Sequence, residues 1–209
     1  MTATHIINRY MIQALATLLL CFFTISAKAE EQNIEVQKGA ENFVQSMAER
    51  GIGFLSDPTL TNAQKREQFE NLLETSFDIP TIGKYVLGQH WRTATETQKQ
   101  EYQKLFRQAI LDLYTGRFSE YSGQSVEVVS ARAHGKRDFM VKSYIVNNNS
   151  SAPKIEVEWR VRYKNGEYKI IDIYVEQVSM AITQRADFSA VIQRGGGKLD
   201  VLLAHLEKN

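Results

Sequence analysis

Between Ala40 and Tyr114 the apolar positions recur three and four residues apart, and between Ser125 and Val175 they recur every second residue. After Val178 the helical spacing returns. The first stretch predicts a run of helices. Ala40, Phe43, Val44, Met47 and Ala48 mark one face, ended by Gly51, Gly53 and Asp57-Pro58. Thr61 with Gln64 has the spacing of a capping box and opens a helix carrying Phe69, Leu72, Leu73 and Phe77. Asp78-Ile79-Pro80 predicts a short break and a new start. Pro80 then falls in a first turn, where its missing N–H costs nothing, and the helix stops near Gly88. A second capping box, Thr95 with Gln98, precedes the clearest stripe: Tyr102, Leu105, Phe106, Ala109, Ile110, Leu113 and Tyr114.

Beyond Gly116 four strands are predicted: Ser125–Ala133, Arg137–Val146, Lys154–Lys164 and Glu167–Val175. The third alternates strictly, with Ile155, Val157, Trp159, Val161 and Tyr163 against Glu156, Glu158, Arg160 and Arg162, so one face is dry and the other wet. Asn165-Gly166 is a two-residue hairpin turn, since both positions tolerate positive φ. Val178, Ala181, Ile182, Arg185, Val191 and Ile192 then follow helical spacing. Gly195-Gly196-Gly197 breaks that helix, and Leu199, Leu202, Leu203 and Leu206 form a last one. The order predicts an α+β domain: helices over 31–116, a curved antiparallel sheet of about four strands over 124–176, and helices over 178–208 packed on its dry face.

The N-terminus departs from this pattern. Arg9 precedes an apolar run from Met11 to Ile25, and Ala27-Lys28-Ala29 places small residues ahead of Glu30. That is the anatomy of a cleaved secretory signal over residues 1–29, leaving one domain over 30–209. A membrane anchor would need roughly 20 apolar residues and no cleavage pattern. A lipoprotein would need a small residue before Cys21, which lies between Leu20 and Phe22. About 180 residues remain, enough for one domain with a real core. The formal charge of +1 falls to −1 without Arg9 and Lys28, so no global field draws the domain to nucleic acid. Cys21, the only cysteine, leaves with the leader, and with it any disulfide, thiol nucleophile or thiolate metal site.

Candidate chemistry is sparse. His90, His134 and His205 fall in a loop, a strand end or turn, and the last helix, none at a metal-binding spacing, so no metal site is expected. No G-x-S-x-G elbow is present, and the triple glycine lacks the Lys-Ser/Thr pair of a phosphate loop, so no catalytic residue is assigned. Asn148-Asn149-Ser150 matches a glycosylation sequon and is read as a turn. Asp172 among isoleucines and Arg185 on an apolar stripe would be costly unless paired. An ion pair of Arg185 with Asp172 or Glu176, fastening helix to sheet, resolves this; Arg185 meeting an anionic ligand head group is the alternative. Arg132, Lys136, Arg137, Lys142, Arg160 and Arg162 predict a basic wet face. It is read as solvated, with an acidic partner or anionic membrane surface as the alternative.

Two blocks carry a resemblance. One is Phe77-Asp78-Ile79-Pro80, Val86-Leu87-Gly88, Trp91-Arg92, the Thr95 capping box and the helix ending in Tyr114. The other is Tyr168–Ile173, Val175-Glu176-Gln177-Val178-Ser179-Met180, Arg185 and Phe188. In this order and separation, over Val36 to Glu207, they resemble the MlaC or toluene-tolerance family. The family usually has Glu-Gly-Val-Ser where Gln177 here replaces the Gly. The second block is similar to the alphaproteobacterial branch, some members of which occur near hopanoid genes.

The resemblance implies an NTF2-like or cystatin-like cone with a small helical part, in a periplasmic, monomeric phospholipid carrier. The implied carrier moves lipid between an outer-membrane lipoprotein–porin complex and an inner-membrane ABC transporter, maintaining outer-membrane asymmetry. Bound phospholipid would be its cargo, with no cofactor and no nucleic acid. Acyl chains need a dry cavity and little else. Expected lining residues are Val141, Ile145, Val157, Trp159 and Val161 on the sheet, and Phe77, Leu87, Leu105 and Tyr114 on the helices. For any single one of them, ordinary core is the simpler reading. Two other functions stay open: an adaptor with a closed core, and an enzyme whose polar cluster would draw on Asp172, Tyr144 and His90.

Overall fold

The computed structural model describes residues 33–148 and 152–208. The expected leader with its cleavage site, Cys21, and Asn149 and Ser150 of the sequon lie outside them. The chain divides into two compact units at Gly39/Ala40. Of the first, residues 33–39 are described, and they are helical.

The second unit begins with helix α1, residues 40–56. Gly51 and Gly53 lie inside this helix instead of ending it. Each costs about 1 kcal/mol relative to Ala, which the burial of Val44, Met47 and Ala48 offsets. The stop comes at Asp57-Pro58, where the residue before proline avoids helical φ/ψ and the Asp57 carboxylate accepts from the Thr59 amide at 2.8 Å. Helices α2 (Asn62–Ser76) and α5 (Glu96–Thr115) both start at the expected capping boxes. Helix α3 (Ile79–Leu87) is capped by Asp78, whose carboxylate accepts from the Thr81 amide. His90 lies in a short helix, α4 (His90–Thr93), where a loop was expected.

Strands β1 (Ser125–His134), β2 (Asp138–Val146), β3 (Ile155–Lys164) and β4 (Glu167–Val175) form an antiparallel meander. A fifth strand, β5 (Val178–Ser179), extends it. Two residues are too short to show a period, and Val178 happens to fit the spacing of the helix behind it. That helix, α6 (Met180–Arg194), therefore starts two residues later than expected. Helix α7 (Leu199–Leu206) ends the fold.

Two hairpins close through residue pairs with positive φ, the twist that matches paired strands. Asn165 and Gly166, at 54° and 83°, join β3 to β4 as expected. Glu176 and Gln177, at 47° and 67°, join β4 to β5. The second pair explains why a glycine suits position 177. A left-handed conformation costs a non-glycine residue about 1–2 kcal/mol, partly offset by the entropy glycine adds to the unfolded chain. Gln177→Gly is therefore expected to raise unfolding free energy by about 0.5–1 kcal/mol. A urea titration showing equal or lower stability would refute the strain.

The wet face of the sheet is electrically mixed, not basic. Arg132 pairs with Glu158 at 3.2 Å and Lys142 with Glu156 at 2.5 Å. Asp138, only 6% exposed, accepts from both Arg160 and Arg162 at 2.7 Å. Burial pushes the Asp138 carboxyl up, but hydrogen bonds from Arg162 and Arg160 outweigh it and hold it below the usual carboxylate range. A lowered carboxyl contributes stability above the unfolded value of about 3.9 and loses it as pH falls through the folded one. Asp138→Asn should cost about 2 kcal/mol near neutral pH, less than a fully buried pair because both guanidiniums stay partly in water. The gap between wild type and variant should close in urea titrations carried below about pH 3.9; a constant gap would remove the charge from the explanation.

Helices α3, α5, α6 and α7 share one core. Tyr102 stacks on Phe106 at 5.6 Å, and Phe188 meets both rings edge-on. The Tyr102 hydroxyl donates to the Gly83 carbonyl at 3.0 Å. A Cβ at Gly83 would lie 2.9 Å from the Phe106 ring, so only glycine lets α3 approach α5 this closely.

Candidate functional site: an apolar cavity under the sheet

The chain between α2 and α3 runs along β4: Phe77 bridges Ile170, and the Asp78 amide donates to the Ile170 carbonyl at 3.0 Å. This turns Phe77 into a cavity of about 460 Å³, within the roughly 300–1,000 Å³ of ordinary ligand sites. Helix α1 contributes Met47, Ala48 and Gly51; α2 contributes Phe69, Leu72 and Leu73; α5 contributes Phe106, Ile110 and Leu113. Trp159, Ile170 and Ile173 close it from the sheet, and Met180 and Ala181 from α6. Among the described residues, the lining carries polar side-chain groups only at Tyr114, Arg117, Tyr121, Trp159, Asp172 and Gln184. The Trp159 indole N–H is used internally, donating to the Ser143 hydroxyl at 2.8 Å.

The cavity opens beside the last turn of α5, where Leu113 is 50% and Tyr114 43% exposed. The 3-10 turn Phe118–Glu120 follows. Phe118 lies 6.1 Å from Phe54 and 5.6 Å from Phe69, and Phe69 lies 6.0 Å from Tyr114, an aromatic rim contributed by α1, α2, α5 and the turn. Arg66 fixes the end of α5 to α2 through Asp112 at 2.8 Å and the Thr115 hydroxyl at 3.1 Å. Although Tyr114 keeps an exposed edge, burial of its phenol raises the hydroxyl's pKa, and the Arg117 guanidinium offsets part of the rise.

At the buried end, a bulge in the β3–β4 pairing leaves Ile171 extra, so Val161 stands opposite Ile170 while Arg160 stands opposite Asp172. The phase shift explains why Ile170, Ile171 and Asp172 are buried in succession. The Asp172 carboxylate accepts from the Ile173 amide (2.8 Å), the Ala181 amide (3.1 Å) and the Ser179 hydroxyl (2.6 Å). Ser179 in turn caps α6 by accepting from the Ile182 amide at 3.0 Å. Asp172 thus sits at the positive end of a helix.

The expected ion pair of Arg185 is not formed. Asp172 serves the helix cap, and Glu176 accepts from the Glu156 amide at 2.7 Å. Arg185 faces α3, where its guanidinium donates to the Tyr85 carbonyl and lies 3.9 Å from the centre of the Tyr85 ring. Nor does Arg185 line the cavity, as the anionic-ligand alternative needs.

Of the nine expected lining residues, Phe77, Tyr114 and Trp159 line the cavity. Leu87 and Leu105 belong to the helical core. Val141, Val157 and Val161 are buried and Ile145 half-buried without lining it. The reason is α1, which crosses that part of the sheet: the Glu41 carboxylate accepts from the Ala131 amide at 2.8 Å, and Phe43 stacks on Tyr168. Part of the dry face is thereby closed by a helix. The candidate enzyme residues do not converge either: of Asp172, Tyr144 and His90, Asp172 alone lines the cavity. Tyr144 lies under the Lys142 ammonium on the wet face. What the sequence reading missed is the contribution of α1 and of the turn after α5. Gly51 and Gly53 within an apolar helical pattern were the available signal.

Among the described residues, no helix is long and apolar enough to cross a membrane, and no cluster of His, Asp or Glu side chains could hold a metal ion.

A solved structure of a phospholipid-binding protein from Ralstonia solanacearum, in complex with a phospholipid, shares the fold. It superposes with a TM-score of 0.68 at 22% identity, covering 81% of this chain and 95% of that one. The intermembrane phospholipid transport system binding protein MlaC of Haemophilus influenzae is 25% identical over 158 residues, 71% of this chain and 73% of that protein. The toluene tolerance protein ttg2D of Pseudomonas putida is 26% identical over 136 residues, 64% of this chain. The matched region spans 62% of the Pseudomonas protein, less than two thirds of its length. The sequence profile of the MlaC protein matches residues 45–208, from the cavity-lining half of α1 through α7, and the chain belongs to the MlaC family.

Proposed function

We propose that the protein is a periplasmic phospholipid carrier that holds acyl chains in the cavity between α1, α2, α5 and the open part of the sheet. The observation that carries this reading is the cavity itself: about 460 Å³, apolar over most of its lining and open beside α5. Hydrophobic transfer needs no directional partner, and a C16 chain offers about 0.8 kcal/mol per buried methylene, on the order of 10 kcal/mol before ordering costs. Phe77, Tyr114 and Trp159 are the proposed chain contacts among the expected residues, and no catalytic group is assigned. The name of the Haemophilus relative supports transport between membranes. On this reading residues 1–29 are a leader removed on export, and the domain works as a monomer. It exchanges cargo with an outer-membrane lipoprotein–porin complex and an inner-membrane ABC transporter, which maintains outer-membrane asymmetry.

Native mass spectrometry of protein purified without detergent, followed by lipid extraction, tests the proposal. About one phospholipid per chain is expected. A lipid-free protein that also takes up no phospholipid from vesicles would refute it.

A further inference from the structure

Most of the cavity's lining is apolar, and at its mouth the chemistry changes. Tyr114, Arg117 and Tyr121 line it there, on the last turn of α5 and the segment that follows. Arg117 is exposed, and among the described lining residues it is the one cation. The other charged lining residue, Asp172, is fully engaged at the start of α6.

Arg117 also stands apart from the ion pairs formed among the described residues. Asp112, on the same helix end, is taken by Arg66 and Gln108. Glu120 is exposed and makes only a backbone bond to Arg117. The cation nevertheless sits on an ordered turn. Its amide donates to the Tyr114 carbonyl and its carbonyl accepts from the Glu120 amide, both at 3.0 Å. The next residue, Phe118, packs between Phe54 and Phe69. A guanidinium carried on an ordered turn at the rim of an apolar slot, with Tyr114 and Tyr121 on the same lining, matches an amphiphile whose anionic group begins where its chains end. Guanidinium and phosphate suit each other in geometry as well as charge.

We propose that Arg117, with the hydroxyls of Tyr114 and Tyr121, binds the phosphate of the cargo's head group at the cavity mouth. The protein then selects lipids by phosphate and not by the head-group alcohol. This rests on the carrier reading above and adds a selectivity that a purely apolar cavity would lack.

Trp159 lines the cavity and Trp91 does not, so Trp91→Phe protein reports chain entry through quenching of Trp159 by lipids brominated on the acyl chain. Four probes are titrated into delipidated protein: brominated phosphatidylglycerol, brominated phosphatidylethanolamine, the matching brominated diacylglycerol, and inorganic phosphate in excess as competitor. Both phospholipids should bind alike and about tenfold tighter than the diacylglycerol, with no effect of inorganic phosphate. Arg117→Gln should weaken the phospholipids about tenfold and leave the diacylglycerol unchanged, with Arg117→Lys in between. Equal binding of phospholipid and diacylglycerol by the Arg117-containing protein overturns the inference while leaving the carrier reading intact, whether or not the variants fold. Displacement by inorganic phosphate, or a parallel loss for all three lipids in folded Arg117→Gln, also overturns it. If no lipid quenches Trp159, the carrier reading itself fails.

Discussion

Gly51→Phe should lower the phospholipid retained per chain about tenfold or more, at unchanged or higher stability. Gly51 lies in the interior of α1 and lines the cavity. A Cβ built on it would meet the Leu72 Cδ1 at 3.7 Å, an ordinary contact, so the backbone accepts a side chain. The phenyl ring then occupies volume that an acyl chain would fill. Each methylene kept out forfeits about 0.8 kcal/mol, so displacing two already exceeds tenfold in affinity. The helix meanwhile loses a glycine penalty of a few tenths of a kcal/mol or more. Gly53→Ala is the control. Nothing lies within 4 Å of its Cβ, so it alters helix propensity alone and should leave lipid content untouched. Lipid content is read by native mass spectrometry and folding by thermal melting. A stable Gly51→Phe protein that keeps its full lipid load would show that the chains lie elsewhere.

Asp172→Ala should have the largest effect on folding, about 3 kcal/mol. Three donors lose their acceptor together: the amides of Ile173 and Ala181 and the hydroxyl of Ser179. A buried donor left unpaired costs about 1–3 kcal/mol, and a carboxylate removed from a helix N-terminus adds about 0.3–2 kcal/mol. Asp172 is 7% exposed, so water reaches the gap poorly. In a domain of this size the loss corresponds to a melting temperature about 6–12 °C lower. Asp172→Asn, which keeps the shape and one acceptor, should recover part of it. Arg185→Met should add to either change independently, since Arg185 is held by Tyr85 and not by Asp172. Strong coupling in that double-mutant cycle would restore the ion pair as the better explanation, and a loss below about 1 kcal/mol for Asp172→Ala would refute the cap.

The residues that speak locally were legible. Thr61, Gln64, Thr95 and Gln98 make their capping boxes because caps are satisfied within one turn of chain. Asn165-Gly166 makes its turn for the same reason. Long-range properties were not. The bulge at Ile171 changes the phase of β4, and alternation in sequence cannot register one extra residue. Arg185 and Asp172 were paired on the argument that two buried charges need each other, yet a helix N-terminus and a tyrosine satisfied them separately. For the cavity, periodicity identified a dry sheet face but not which part a helix would cover. Val141 and Trp159 lie side by side on β2 and β3, and Trp159 alone reaches the lumen.

The ends of the sheet carry one more consequence. On one margin β5 is two residues long; on the other, the β1 register breaks at Val129, which is 57% exposed and stands outside the regular pairing. Glu41 also covers the Ala131 amide beyond that break. Neither margin therefore offers a long flat row of backbone groups on which a second copy could add its own strand. The strand edges around this greasy lumen therefore give crowded copies little backbone to zip onto.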